Sequence, residues 1–233
     1  MYKNILLKIS GETLAGEGKF GFDFNVLNKL CKNIKKLHTK KIKISIVIGG
    51  GNFMRGSELS NGVLDRVTSD YMGMLGTVMN SMALQSNLEK LGIQTRVMTA
   101  LNINQIAEPY IKRKASRHLE KNRVVIFAAG TGNPFFSTDT AAVLRASEMK
   151  CDVILKATKV DGIYDKDPHK NKAAKKIPKI SYNDFLNKEI KVMDATAISL
   201  AKDRGLPIVI FSILDSANIV NIVDLKGNYS IIK

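Results

Sequence analysis

Arg123–Ala146 reads RVVIFAAGTGNPFFSTDTAAVLRA, and its three parts set the fold class. Val124–Ala128 is a short apolar run rich in β-branched residues, the pattern of a strand buried on both faces of a parallel sheet. Gly130-Thr131-Gly132-Asn133-Pro134 then breaks the strand, and Ser137-Thr138-Asp139 supplies capping residues ahead of a helical stretch, Thr140–Glu148. The unit is strand, glycine loop, helix. In an open α/β sheet, ligands bind in the crevice beyond the carboxyl ends of the strands, where a helix amino terminus offers unpaired N–H groups to anions. The loop's glycine, threonine, serine and asparagine residues suit sugar hydroxyls or phosphate, and Phe135-Phe136 adds an apolar or stacking wall. The plainer alternative is a tight turn whose phenylalanines belong to the core.

The rest of the chain repeats this alternation. Lys3–Ile9, KNILLKI, reads as a first strand running into Ser10-Gly11-Glu12, with Lys8 at its carboxyl end, within reach of the crevice. After the loop Gly16-Glu17-Gly18-Lys19-Phe20-Gly21, Leu27, Leu30, Ile34 and Leu37 recur at helical spacing, with Asp23 or Asn25 as the cap. Lys43–Ile48 is a second strand, followed at once by Gly49-Gly50-Gly51-Asn52-Phe53-Met54-Arg55-Gly56. Three glycines permit backbone angles that other residues resist and let main-chain amides cradle phosphate, while Arg55 adds a permanently charged donor fork. A purely structural role accounts for the glycines but not for Arg55. The loop matches neither GxxxxGK[ST] nor GxGxxG, which argues against a P-loop nucleotidase and a dinucleotide binder.

Asp65–Leu91 is periodic through Met72, Leu75, Met79 and Met82, a helix with one apolar face for core or subunit interface, ended by Gly92. Asp70 near its start is either a solvated first-turn acid or an acceptor for a substrate hydroxyl. Thr95–Met98 is a third strand, and Pro109–Lys121 a basic helix in which His118 has no metal-ligand partner and reads as structural. Asp152–Lys156 is a further buried strand. The loop after it, Ala157–Pro168, carries lysines, threonine, tyrosine and acids of the types that hold a nucleotide, although a solvated loop has the same composition. Asp194–Arg204 reads as helix, Ile208–Ser212 as strand, and Ser230–Ile232 as a last edge strand.

Composition bounds the possibilities. The 233 residues suffice for one substantial domain or two lobes sharing a sheet, with no linker between them. No apolar run approaches the roughly 20 residues needed to span a bilayer, and Met1–Ser10 is too short and mixed for a signal peptide, so a cytoplasmic location is expected. Cys31 and Cys151 lie far apart without CxxC or Cys/His spacing, which speaks against a disulfide framework, a protein-held metal or a thiol-redox site. The net charge of +15 suits nucleic acid, anionic membrane or small polyanions. Its lysines are dispersed without interleaved aromatic residues, which favours solvated helix faces over a nucleic-acid surface.

Lys8, the glycine loops and Arg55 are what phosphoryl transfer requires, since that reaction depends on positioning and positive charge rather than on a strong nucleophile. Acyl transfer is disfavoured, because there is no GxSxG elbow and His38, His118 and His169 offer no nucleophile–base pair. KISGE at Lys8–Glu12, IGGGNxxRG at Ile48–Gly56, GTGNPFFSTD at Gly130–Asp139 and KATKVDGIY at Lys156–Tyr164 together closely resemble the bacterial uridylate kinases of the amino acid kinase superfamily. The resemblance covers essentially the whole chain. It implies a three-layer α/β/α sandwich with a mostly parallel sheet, forming one domain with a UMP-binding and oligomerisation lobe at residues 1–140 and an ATP-binding lobe at 141–233. The implied reaction is reversible transfer of the ATP γ-phosphoryl group to UMP on the way to UTP and CTP, with Mg²⁺ carried by the nucleotide.

Residue by residue, the resemblance implies that Lys8, Ile9, Ser10 and Gly11 bind ATP phosphates, with Lys8 stabilising the transferred group. Gly51 and Arg55 would also serve ATP, Arg55 with a catalytic share, and Thr158, Tyr164 and Asp167 would line its nucleoside pocket. UMP would lie on Gly50, Asp70, Thr131, Gly132, Asn133, Pro134, Phe135, Phe136, Ser137 and Thr138. Asp139 would orient the lysines or the metal, with Lys156 as a further candidate. The resemblance also implies a homohexamer, inhibition by UTP, and activation by GTP through Gly16, Glu17, Gly18, Lys19, Phe20 and Gly21. Two rival expectations stand beside this one: a superfamily kinase acting on a carboxylate or carbamate, and a nucleic-acid-binding regulator driven by the net charge.

Overall fold

The computed structural model describes residues 1–18, 20–54, 64–166, 168, 170–171, 173–213 and 218–233. Lys19, Arg55 and Asp167, singled out above, lie outside the described residues. In chain order the elements are β1 (Asn4–Ile9), α1 (Gly11–Leu14), α2 (Phe24–Thr39), β2 (Lys43–Ile48), α3 (Arg66–Lys90), β3 (Thr95–Thr99) and β4 (Glu108–Pro109). Then follow α4 (Lys112–Glu120), β5 (Val124–Ala128), α5 (Thr138–Glu148), β6 (Val153–Thr158), β7 (Ile163–Tyr164), β8 (Lys176–Ile177) and β9 (Lys179–Ile180). The chain ends with α6 (Tyr182–Asn187), α7 (Ala195–Arg204), β10 (Ile208–Ser212), α8 (Asn218–Ile222) and β11 (Ser230–Ile232).

The apolar strands assemble into one sheet of order β4-β3-β5-β2-β1-β6-β10-β11-β9, while β7 and β8 form a separate antiparallel pair. Within the large sheet every pairing is parallel except β10 with β11. Successive side chains of a strand point to opposite faces, so β1 sends Ile5, Leu7 and Ile9 into one core and Leu6 into the other. The first core is closed by α2, α3 and α8 through residues such as Ile34, Leu84 and Ile219. The second is closed by α4, α5, α6 and α7 through Leu119, Val143, Phe185 and Ile198. Each such side chain contributes about 1.5–3 kcal/mol by leaving water, and the outcome is the expected three-layer α/β/α sandwich.

Most element boundaries follow their sequence signals. Asp23 caps α2 by accepting from the Asn25 and Val26 amides at 2.9 and 3.2 Å, and Gly205 ends α7 in the left-handed conformation. Other boundaries move because tertiary pairing overrides local pattern. The strand expected at Asp152–Lys156 runs Val153–Thr158, because β1 and β10 extend its ladder. Asp152 instead accepts from the amides of Lys3 and Asn4 at 2.7 and 2.9 Å. Pro109 does not start a helix but sits in the edge strand β4, where its missing N–H is harmless. The C-terminal strand is not at the edge, since β9 pairs outside it.

Helix α3 differs more. Leu75, Met79 and Met82 are exposed in this chain, while the inward face carries Met74, Val78, Leu84 and Leu88 together with the polar residues Thr77, Asn80 and Ser81. The periodicity located the helix, and of the two roles expected for its apolar stripe, core or subunit interface, Leu75, Met79 and Met82 do not fill the core of this chain. No helix among the described residues is long and apolar enough to cross a membrane.

Candidate active site

The sheet topology itself creates the site. From β1 the chain crosses to β2 over the face covered by α2, whereas from β6 it crosses to β10 through α6 and α7 on the other face. The boundary between β1 and β6 is therefore the switch point at which a crevice opens beyond the strand ends. Lys8 of β1 and Lys156 of β6 are register partners there, and both are buried. Two neighbouring ammonium groups need an anion. Asp139, in the first turn of α5, supplies it: one carboxylate oxygen meets Lys8 Nζ at 2.7 Å and the other accepts from Lys156 Nζ.

Burial alone would raise the Asp139 carboxyl, but the charges and hydrogen bonds of Lys8 and Lys156 outweigh it and hold the group below the usual carboxylate range. Burial and the Lys8 charge push Lys156 down from 10.5 to about 8, against the opposing pull of Asp139 and Asp194. The crevice floor thus holds two lysines oriented by a single carboxylate, with phosphate-binding capacity in excess of that carboxylate's charge.

Sequence reading missed Asp194 as a site residue and saw it only as the start of a helix. It does cap α7, accepting from the Ala197 amide at 2.9 Å. It also accepts from Ser137 Oγ, and from Thr140 Oγ1 at 3.2 Å, and so binds the start of α5 to the start of α7. Ser137 Oγ in turn accepts from the amides of Asp139 and Thr140 at 3.0 and 3.1 Å. Two amides at the α5 amino terminus, expected to be open to an anion, are therefore already satisfied.

Beside this floor lies a cleft of about 440 Å³ whose lining includes Gly50, Gly51, Asp70, Thr131, Phe136 and Thr138. Arg66, Gly73 and Thr77 of α3 join them, residues that sequence reading did not select. Asp70 is not a freely solvated acid. It accepts from Arg66 Nε at 3.0 Å and from the Phe135 amide at 2.7 Å, tying the start of α3 to the loop after β5. Phe135 holds a left-handed φ of 71° and is 67% exposed, and Phe136 is 52% exposed, so neither phenylalanine is core. Gly132, Asn133, Pro134, Phe135 and Ser137 do not line the cleft.

The triple glycine acts by size rather than by unusual φ. No residue from 49 to 51 has a positive φ, but a Cβ on Gly50 would come within 2.5 Å of the Gly73 carbonyl oxygen in α3. A Cβ on Gly11 would come within 2.5 Å of the Gly49 carbonyl oxygen. Glycine lets the ends of β1 and β2 and helix α3 meet backbone to backbone.

Neither Thr158 nor Tyr164 lines that cleft. Thr158 Oγ1 donates to the Val160 carbonyl at 2.7 Å, and the Tyr164 hydroxyl donates to Asp161 Oδ1 at 2.7 Å. Asp161 also accepts from Lys176 Nζ at 3.0 Å and Asn228 Nδ2 at 2.8 Å. Burial would raise its carboxyl, but these bonds and the Lys176 charge bring it down to about 2. Gly16, Glu17 and Gly18 line a second cavity of about 400 Å³ with Lys29 and Lys159. Phe20 meets Phe53 edge to face, and Gly21 bonds Asn52. His118 bonds Glu108 and Arg123, and both cysteines are buried thiols pushed up to about 12, roles that suit the structural reading.

Comparison with known proteins finds relatives for the whole of this fold. Residues 3–212 match the amino acid kinase family, and the chain belongs to that family. Within it, the chain is similar to the UMP kinase from Bacillus anthracis, with 39% identity, a TM-score of 0.96, and coverage of 100% of this chain and 96% of that one. It is likewise similar to the UMP kinase from Ureaplasma parvum, at 36% identity and a TM-score of 0.94, covering 100% and 99% of the two chains. A uridylate kinase from Archaeoglobus fulgidus shares the fold at 22% identity, with a TM-score of 0.77 and coverage of 98% and 99%.

Proposed function

We infer that this chain is a UMP kinase, transferring the γ-phosphoryl group of ATP to UMP to give UDP and ADP. The observation that carries this reading is the Lys8–Asp139–Lys156 cluster at the β1–β6 switch point, next to a glycine-lined cleft, in a chain similar over its whole length to UMP kinases. In-line phosphoryl transfer needs cations on the equatorial oxygens and a fixed approach of the acceptor. Lys8 and Lys156 supply the charge, and Asp139 keeps both ammonium groups aimed at the crevice. We assign Ile9, Ser10, Gly11 and Gly51 to the ATP phosphates, Thr158 and Tyr164 to the nucleoside, and UMP to the cleft, with Asp70 and Thr131 at its rim. Arg55 and Asp167 keep the ATP roles assigned from their motifs.

The acids at the floor, Asp139 and Asp194, are already engaged by lysines, hydroxyls and an amide. That donor set fits a divalent cation arriving on the phosphates rather than one held by the protein. Mg²⁺ bound with ATP would neutralise charge on the β- and γ-oxygens as it shifts toward the leaving group. The exposed Leu75, Met79 and Met82 face of α3 favours assembly with further copies, which we take to be a hexamer. We assign UTP, as an inhibitor, to the UMP cleft and a GTP effector to the cavity lined by Gly16, Glu17 and Gly18. A division into lobes 1–140 and 141–233 and a cytoplasmic location complete the proposal.

A coupled assay of ADP release with ATP and Mg²⁺ tests it, comparing UMP with CMP, AMP, GMP, aspartate, glutamate and carbamate. Turnover with UMP is expected. Silence with UMP in folded protein overturns the reading, and turnover with an amino acid or carbamate instead would reassign the substrate.

A further inference from the structure

Where α3 meets the loop after β2 lies a buried carboxamide pair, Asn80 on the helix and Asn52 in the loop, with no side-chain surface for a ligand. Asn80 Nδ2 donates to the Gly49 carbonyl and to Asn52 Oδ1, both at 2.7 Å. Asn52 Nδ2 donates to Asn80 Oδ1 at 2.9 Å and to the Gly21 carbonyl at 2.8 Å. The Gly21 amide returns a bond to the Asn52 carbonyl at 2.9 Å. Each carboxamide thus uses both of its N–H groups and its oxygen, leaving no polar atom unpartnered. A Cβ on Gly11 would come within 2.7 Å of Asn52 Oδ1 and of the Gly51 amide nitrogen, so the pair sits directly against the end of β1 and the loop after β2.

We propose that Asn52 and Asn80 are positioning residues that hold the 49–51 backbone between the two substrate subsites and transmit its position to the turn at Gly21. The proposal rests on the kinase reading for its catalytic consequence. A buried apolar contact could hold the helix equally well, but it could not fix a carbonyl direction. Two polar residues saturating each other and two backbone carbonyls specify a single loop conformation, because any shift leaves a buried group unsatisfied. The three segments lie far apart in sequence, and this pair forms a hydrogen-bonded path from α3 through the 49–52 loop to Gly21. A change at Gly21 therefore reaches Gly49 through two side chains.

The test uses Asn80→Leu, the milder Asn80→Ser in case the first does not fold, and Ser81→Ala as a control. Ser81 is buried on the same helix, and among the described residues its hydroxyl bonds the Thr77 carbonyl of that helix. Two readouts are taken: KM and kcat for UMP and ATP, and amide hydrogen exchange of the 16–24 and 49–54 segments. Loss of loop position should lower kcat/KM for both substrates by about 100-fold. It should also speed exchange in both segments by about 10-fold while the sheet stays protected. Ser81→Ala should change neither ratio. In the double variant with Asn52→Leu, the effects should be far less than additive. Wild-type catalysis and exchange at residues 16–24 retained in folded Asn80→Ser would overturn the proposal. Lack of UMP turnover by the wild type would overturn the kinase reading instead, and the exchange data would still decide whether the pair couples the two segments.

Discussion

Replacing Lys156 by methionine isolates the electrostatic cost of the crevice floor. Lys156 keeps an ammonium group in a buried setting, with Lys8 beside it, Asp139 in contact and Asp194 contributing, and its pKa falls from 10.5 to about 8. At about 1.4 kcal/mol per pH unit, that gap corresponds to about 3 kcal/mol of stability lost while the group is charged. The sign follows from proton counts. Between pH 8 and 10.5 the unfolded chain still holds this proton and the folded chain has released it, so wild-type stability rises with pH across the window. Lys156→Met has no such proton, keeps most of the side-chain volume and leaves Asp139 paired with Lys8. Urea unfolding at pH 7 and pH 10 should show the difference between wild type and variant moving in favour of the wild type by about 2–3 kcal/mol. At pH 7 the variant should be at least as stable as wild type, while UMP turnover should fall sharply because a cation is lost from the transferred group. A stability difference independent of pH would refute the reasoning, because it would mean that Lys156 titrates like an exposed lysine.

Asp70→Asn should raise the KM for UMP by about 10-fold with a smaller change in kcat, since it loses the charge that meets Arg66 while still accepting from the Phe135 amide; steady-state kinetics at varied UMP checks this. Gly50→Ala should destabilise the fold by about 1–3 kcal/mol, because its Cβ meets the Gly73 carbonyl oxygen. Gly73→Ala, whose Cβ meets nothing within 4 Å, should be neutral or gain up to about 1 kcal/mol in the same urea titration. Met79→Lys, on the exposed face of α3, should leave secondary structure unchanged by circular dichroism and reduce the particle mass measured by light scattering; an unchanged mass would place the assembly interface elsewhere.

Local sequence chemistry was sufficient for the strand–loop–helix alternation, because apolar β-branched runs, glycine breaks and capping residues act within a few positions of one another. It located Lys8 at a strand end and the Ser137-Thr138-Asp139 capping group at the start of α5, which begins at Thr138, two residues before the expected Thr140. It could not establish that Lys8 and Lys156 are neighbours, because their adjacency depends on β1 and β6 pairing across nearly 150 residues of chain. Asp139 gains its role only through that pairing. Nor did periodicity identify which face of α3 is buried: the inward face carries polar residues that satisfy loop backbone, and the methionine stripe is left outward. The sequence by itself determined an α/β chain with glycine loops and cations suited to phosphate. Tertiary structure alone decided which residues form the cluster, because the energy of a buried charge or carboxamide depends on partners that only strand register and helix packing bring within bonding distance.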